Sequence, residues 1–163
     1  MRRDPPASIP NYPNAEAQLA SFIAKYPPAI AALGTEVRLR FRRRYPTAIE
    51  LVYDNYDALV LALSPTERPS DAIFSIVFHP LEIQVCFLQV KKGFYDPEHR
   101  LQGRGRIAKH LTLTNSAPLD EPAVDALMRQ AIRRAKAPFA TDGLPRLIIR
   151  YVAALQRPRR LDQ

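Results

Sequence analysis

The sequence predicts an α+β fold, an antiparallel sheet of five to six strands covered on one face by two N-terminal helices and one C-terminal helix. Three observations carry this expectation. Apolar residues recur at helical spacing near both ends of the chain. Between them, short β-branched and aromatic runs are separated by turn residues. The turns are too short for parallel crossovers, which need roughly a dozen residues or more. With 163 residues, 47% of them apolar and 25% charged, the chain fits one globular domain.

Residues 1–13 hold four prolines and little to bury, so an extended arm is expected there. The domain proper is assigned to 14–155. Asn14 is placed to cap a helix whose stripe is Leu19, Phe22, Ile23 and Tyr26. Pro27-Pro28 ends that helix and opens a second, because proline's fixed φ and missing N–H suit a first turn. Ile30, Leu33, Val37 and Phe41 form its buried face, and Arg38, Arg40, Arg42, Arg43 and Arg44 read as a solvated helix end.

Strands follow near 49–53, 57–63, 72–79 and 82–89. Phe74, Ile76 and Phe78 share one parity and Ile83, Val85 and Phe87 another, the alternation of a sheet with one covered side. Cys86 falls on the opposite parity with Gln84 and Glu82 and reads as an inert thiol, since no base is placed beside it. After Asp120-Glu121-Pro122, the stripe Val124, Leu127, Met128, Ala131, Ile132 and Ala135 predicts the C-terminal helix, stopped before Pro138. Residues 146–152 are β-branched enough for a final strand, and 156–163 read as a basic, solvated tail.

Composition narrows function little. With 24 Lys+Arg against 16 Asp+Glu the net charge is +8, which suggests an anionic partner. The single cysteine excludes an internal disulfide and a thiolate-only metal site. There is no apolar run of about 18 residues and no apolar region behind the N-terminal arginines, so a cytoplasmic protein without a membrane span is expected. His79, His99 and His110 do not fall in a recognisable metal spacing, no Gly-x-Ser-x-Gly turn is present, and no catalytic residue or cofactor is assigned.

The stretch Phe94–Leu113 gathers glycines, cations, histidines and carboxylates. Asp96 and Pro97 can open a single helical turn ending before Gly103, and a fifth strand is expected from about 107. Gly103 and Gly105 permit positive φ, so their amides can converge on an anion, with Arg104, Arg106 and Lys109 adding charge. Lys109 shares parity with Leu111 and Leu113, where its ammonium needs a partner. Two readings stand: an internal carboxylate, Asp96 or Glu98, which is favoured, or a bound anion. The Gly-x-Gly precedes a strand rather than a helix, so it is neither a dinucleotide fingerprint nor a P-loop.

The segment Leu101-x-Gly103-x-Gly105-Arg106-x-x-Lys109-x-Leu111 resembles the YdhG-like domain family, a family of largely unassigned function. That family usually has Lys and then Arg at the two cationic positions; here they are exchanged. Residues 50–56, 64–68, 70–75 and 156–160 resemble one branch of it. The resemblance implies a helix-flanked antiparallel sheet and no catalytic residues. Some members are described as frataxin-like, which implies iron carriage, but the first helix offers only Glu16 and the second only Glu36 as carboxylate ligands. The expected function is a non-enzymatic binding module for a small anion or an acidic protein surface, at Gly103–Lys109 beside Tyr53, Asn55 and Tyr56. Iron chaperoning is the alternative, and nucleic-acid binding a second one resting on charge alone.

Overall fold

A computed structural model describes residues 14–161; the arm expected at 1–13 lies outside them. Helices α1 (Ala15–Ile23) and α2 (Pro28–Arg44) come first, followed by strands β1 (Ile49–Asp54), β2 (Leu59–Ser64), β3 (Phe74–Phe78), β4 (Ile83–Phe87) and β5 (Lys109–Leu113). Helix α3 (Pro122–Arg134) and strand β6 (Arg146–Val152) complete the fold. The fold class is as the sequence predicts, with three helices on a six-stranded sheet of order β5-β4-β3-β2-β1-β6.

Strands β1 to β5 form an antiparallel meander. The final strand differs from the expected purely antiparallel sheet, because β6 pairs parallel to β1, with Ile49 opposite Arg146. The cause is the length of the last connection. Helix α3 and the segment after it form a crossover that brings the chain back to the end of the sheet where β1 begins.

All three helices share one core with one face of the sheet. Leu19 and Phe22 of α1, Val37 and Phe41 of α2, and Val124 and Leu127 of α3 are buried with Val52, Leu61, Phe74, Phe78, Val85 and Leu111. Their alternation along the strands is the period-two pattern that the sequence shows. Phe74 is the hub, with its ring edge-on to Phe41 at 5.4 Å and to Phe87 at 5.3 Å. A smaller apolar cluster, Leu51, Ala62 and Ala72, lies on the other face.

The helix termini follow from local chemistry. Asn14 accepts the Ala17 amide at 3.1 Å, the expected cap of α1. Pro28 opens α2 where no intrahelical N–H is needed. The glycine within α2 has a packing reason: a Cβ on Gly34 would lie 2.0 Å from Cε1 of Phe78.

The arginines of α2 are not the solvated face that their number suggests. Arg38 is buried, donating from Nε and Nη2 to both carboxylate oxygens of the buried Glu50 at 2.7 and 2.8 Å. It also donates to both oxygens of Glu16 at 3.1 and 3.0 Å, and Arg42 adds a further bond to Glu16 at 3.3 Å. The Arg38 hydrogen bonds hold the Glu16 carboxyl below its ordinary value of 4.5. Farther along, Arg40 pairs with Asp120 at 2.6 Å and Arg44 with Asp125 at 2.7 Å, joining α2 to α3 and to the turn that precedes it.

Two predictions follow from this packing. Gly34→Ala should destabilise the fold by about 1–3 kcal/mol through overpacking, despite alanine's better helix propensity. Phe78→Leu in the same chain should recover part of the loss, read as non-additivity in urea unfolding. Because the folded Glu16 pKa is depressed, its contribution is present above pH 4.5 and lost as pH falls through the folded value. Comparing Glu16→Gln with the parent from pH 7 to pH 3 should therefore show the stability difference closing at acid pH. Solvent screening keeps that difference below about 1 kcal/mol.

Candidate functional site

The 88–108 connection between β4 and β5 is an ordered excursion over the edge of the sheet. Its charge is concentrated, since residues 91–109 hold six cations against two carboxylates. Asp96 organises its middle, accepting the amides of Arg100 at 3.0 Å and Leu101 at 2.9 Å. The expected helical turn does not form; residues 97–98 make only a hydrogen-bonded turn. Both Asp96 oxygens hold amides farther along, so the backbone turns outward instead of coiling. Leu101 then enters the core, and Gln102 exchanges two backbone hydrogen bonds with His110, at 2.7 and 2.8 Å. That bridge shields part of the outer edge of β5, where unpaired amides would otherwise invite another strand.

The two glycines serve different ends. Gly103 has φ +111°, as the sequence suggests for a bend. Gly105 does not have the positive φ expected of it; a residue without a Cβ is required because a methyl there would come within 2.6 Å of the Ala108 carbonyl oxygen. Arg104 and Arg106 are exposed, and Lys109 is half-buried at the start of β5, opposite Phe87. Lys109 does not have the internal carboxylate partner, Asp96 or Glu98, that its parity favours. Asp96 is engaged by backbone amides and Glu98 lies 3.8 Å from Arg100, which pairs more closely with Glu121. Among the described residues, Lys109, Arg104 and Arg106 form no ion pair with a carboxylate.

Two more basic segments meet this turn. The Val90 amide donates to the Ile107 carbonyl at 2.7 Å, which sets Lys91 and Lys92 beside the 104–109 bend. Arg134 of α3 donates to the carbonyls of Lys92 at 2.7 Å and Gly93 at 3.2 Å, and the Lys136 amide donates to Gln89 at 2.9 Å. Lys91, Lys92, Arg104, Arg106, Lys109, Arg134 and Lys136 thus converge from three separate stretches on one end of β4 and β5. Helix periodicity and parity locate each stretch, but only the loop hydrogen bonds bring them together.

Tyr53, Asn55 and Tyr56 are not part of this corner. Following the register from Lys109 through Phe87, Phe74 and Leu63 leads to Glu50, so Lys109 and Tyr53 stand four strands and three residues apart. These offsets amount to roughly 19 Å across the sheet and about 10 Å along it. The sequence offers no strand order, which is why the two groups were expected side by side.

Tyr53 packs with the Leu51, Ala62 and Ala72 cluster on the other face, whereas Asn55 and Tyr56 adjoin the C-terminal segment, which is not a solvated tail. Arg159 is buried and donates from Nη2 to Asp54 Oδ1 at 3.0 Å and to the Asn55 carbonyl at 2.5 Å, and from Nη1 to the Tyr56 carbonyl at 3.2 Å. Lys25 holds the other Asp54 oxygen at 2.8 Å, and Asp54 itself is fully buried. Gln156 bonds the Asp54 carbonyl, Arg157 sits over the Tyr56 ring, and Arg160 takes up the carbonyls of Ala24 and Lys25 at the end of α1. Residues 50–56 and 156–160, two of the segments that carry the family resemblance, are therefore neighbours in space, joined by a structural clasp.

Cys86 is half-buried on the open face, and burial pushes its thiol above the ordinary value despite a hydrogen bond with Ser75. That leaves it poorly suited to act as a nucleophile. No group of three or more histidine, cysteine or acidic side chains suited to a metal occurs among the described residues, and no described helix is long and apolar enough to cross a membrane. Comparisons with family models, curated proteins and solved structures find no match to the chain.

Arg159→Ala should cost about 3 kcal/mol in chemical denaturation, because it leaves Asp54 buried with only Lys25. Arg160→Ala, which loses exposed helix-end bonds, should cost under about 1 kcal/mol. Equal and negligible effects from both would mean that the segment is not a clasp.

Proposed function

We propose that the protein is a non-enzymatic binding module whose cationic corner, Arg104, Arg106 and Lys109 with Lys91 and Lys92, engages an acidic protein surface. The observation that carries this reading is the contrast in pairing. Four of the five α2 arginines, Arg38, Arg40, Arg42 and Arg44, have carboxylates, whereas these five cations have none among the described residues. An exposed field of one sign raises the encounter rate with a complementary surface and selects against basic ones.

Shape separates an acidic surface from a single small anion. Lys91, Lys92, Arg104 and Arg106 stand on exposed turns with Lys109 half-buried beside them, and the cavities between the helices and loops are lined by other residues. A small anion is best held by donors converging within a concavity, while a broad partner needs only a matching field. Membership of the YdhG-like family belongs to this proposal, resting on the Leu101–Leu111 motif and on the two motif segments that form the clasp. For the frataxin-like alternative, the helix carboxylates are already engaged, Glu16 by Arg38 and Arg42, and Glu36 by Ser116 and Arg40.

The test is fluorescence anisotropy with a labelled poly-glutamate, repeated with inorganic phosphate and with a thymidine oligonucleotide. Poly-glutamate should bind in a salt-sensitive manner. The Arg104→Ala, Arg106→Ala, Lys109→Ala triple variant should weaken that binding about tenfold with its melting temperature unchanged. Absence of poly-glutamate binding, or full affinity in the triple variant, overturns the proposal. Oligonucleotide binding that is tighter, and lost in the same variant, would replace it with the nucleic-acid reading.

A further inference from the structure

We infer that a cleft between the Tyr95–Glu98 turn and α3, apart from the cationic corner's exposed turns, is a binding site for a small aromatic carboxylate. The cleft encloses about 430 Å³, within the range of small-molecule sites. Its apolar lining comes from Pro122, Ala123, Ala126 and Leu127 of α3 and from Tyr95 and Pro97 across from them. The two alanines matter because larger side chains at those positions would fill the space.

The walls are fixed on both sides. The Gln130 amide grips the Tyr95 backbone twice, accepting its N–H at 2.7 Å and donating to its carbonyl at 2.8 Å. Arg134 holds the two residues before Phe94 by their carbonyls, and Arg100 pairs with Glu121 at the N-terminal end of the helix. A slot held in this way does not have to be ordered when a ligand enters, so less of the binding free energy is lost to immobilisation. These bonds also leave Tyr95 71% exposed, an arrangement that burial alone would not favour for an aromatic ring.

Ligand class follows from which polar groups remain uncommitted. The Asp96 carboxylate is occupied by the amides of Arg100 and Leu101, the Gln130 amide by Tyr95, and Glu98 faces Arg100. Arg133 is the charged lining residue with no carboxylate among the described residues. An aromatic body suits the Tyr95, Pro97 and alanine walls, and an anionic group suits the Arg133 guanidinium, which presents paired donors to a carboxylate.

The experiment uses the full chain with 2-naphthoate as probe and 2-naphthalenemethanol as its neutral counterpart, followed by amide chemical shifts. Shifts centred on Tyr95, Ala123 and Ala126 are expected for 2-naphthoate. Arg133→Ala should weaken 2-naphthoate at least fivefold while leaving the weaker alcohol unchanged. Ala126→Phe, at an exposed helix position, should fill the slot and abolish both. Tyr95→Ala, which removes one wall but keeps the backbone that Gln130 holds, should weaken both in a folded chain, and it serves where Ala126→Phe fails to fold. No shifts with 2-naphthoate, shifts centred elsewhere, or full affinity in a folded Ala126→Phe or Tyr95→Ala chain would overturn the inference. Because poly-glutamate binding is read at Arg104, Arg106 and Lys109, either proposal can fail without the other.

Discussion

Strand β1 directs two carboxylates into the helix-covered side of the sheet, Glu50 at its beginning and Asp54 at its end, with Val52 between them. A buried carboxylate without partners is costly enough that the surrounding chain must supply cations to it. Much of the architecture is arranged around that requirement. Glu50 draws in Arg38 of α2, and Arg38 in turn holds Glu16 of α1. Asp54 draws in Lys25 from the α1–α2 turn and Arg159 from beyond β6. Both helices and the C-terminal segment are therefore registered against one strand by charge as well as by apolar packing. Such pairs add little net stability over apolar substitutes, so their effect is to fix which element lies where.

The apolar skeleton was legible because it depends on local periodicity. The stripes Leu19–Phe22–Ile23 and Val124–Leu127–Met128, and the alternation Phe74–Ile76–Phe78, each predict a buried face, and each is buried. The charged skeleton was not, although one signal was present. Glu50 and Asp54 share parity with Val52 within a strand, and Arg38 lies one residue beyond Val37 on the stripe that ends in Phe41. A carboxylate on an inward parity implies a buried cation somewhere. Neither Arg159 nor Lys25 can be named from that rule, because the contacts span 105 and 29 residues.

The candidate site divides along the same line. The bend at Gly103 and the inward parity of Lys109 are local properties and were readable. Its neighbours were not: strand order placed Tyr53, Asn55 and Tyr56 at the far end of the sheet, while a single backbone bond from Val90 to Ile107 brought in Lys91 and Lys92. Gly105 illustrates how a correct residue can carry a wrong reason. Glycine is demanded there by the Ala108 carbonyl, a contact across three residues, rather than by its own φ.

The net charge of +8 gains meaning only after this internal pairing is set aside. Arginines that face the core or bridge helices are each matched by a carboxylate, so they contribute almost nothing to the field at a distance. The 91–109 excursion alone accounts for half of the excess charge, and its connection to the last turn of α3 adds Arg134 and Lys136 to the same end. Arg134 and Arg133 also lie where the helix dipole is negative, which lowers the cost of gathering cations there. Part of the cluster is thus structurally supported, and Arg134 works as a brace for the Lys92–Gly93 turn. Arg104 and Arg106 have no such support: they are exposed and without a described carboxylate, and neither lies at a helix end. Their presence on a bend that itself requires two glycines is what scaffolding alone does not account for, and it is why the functional reading rests on that bend and not on the larger number of arginines in α2.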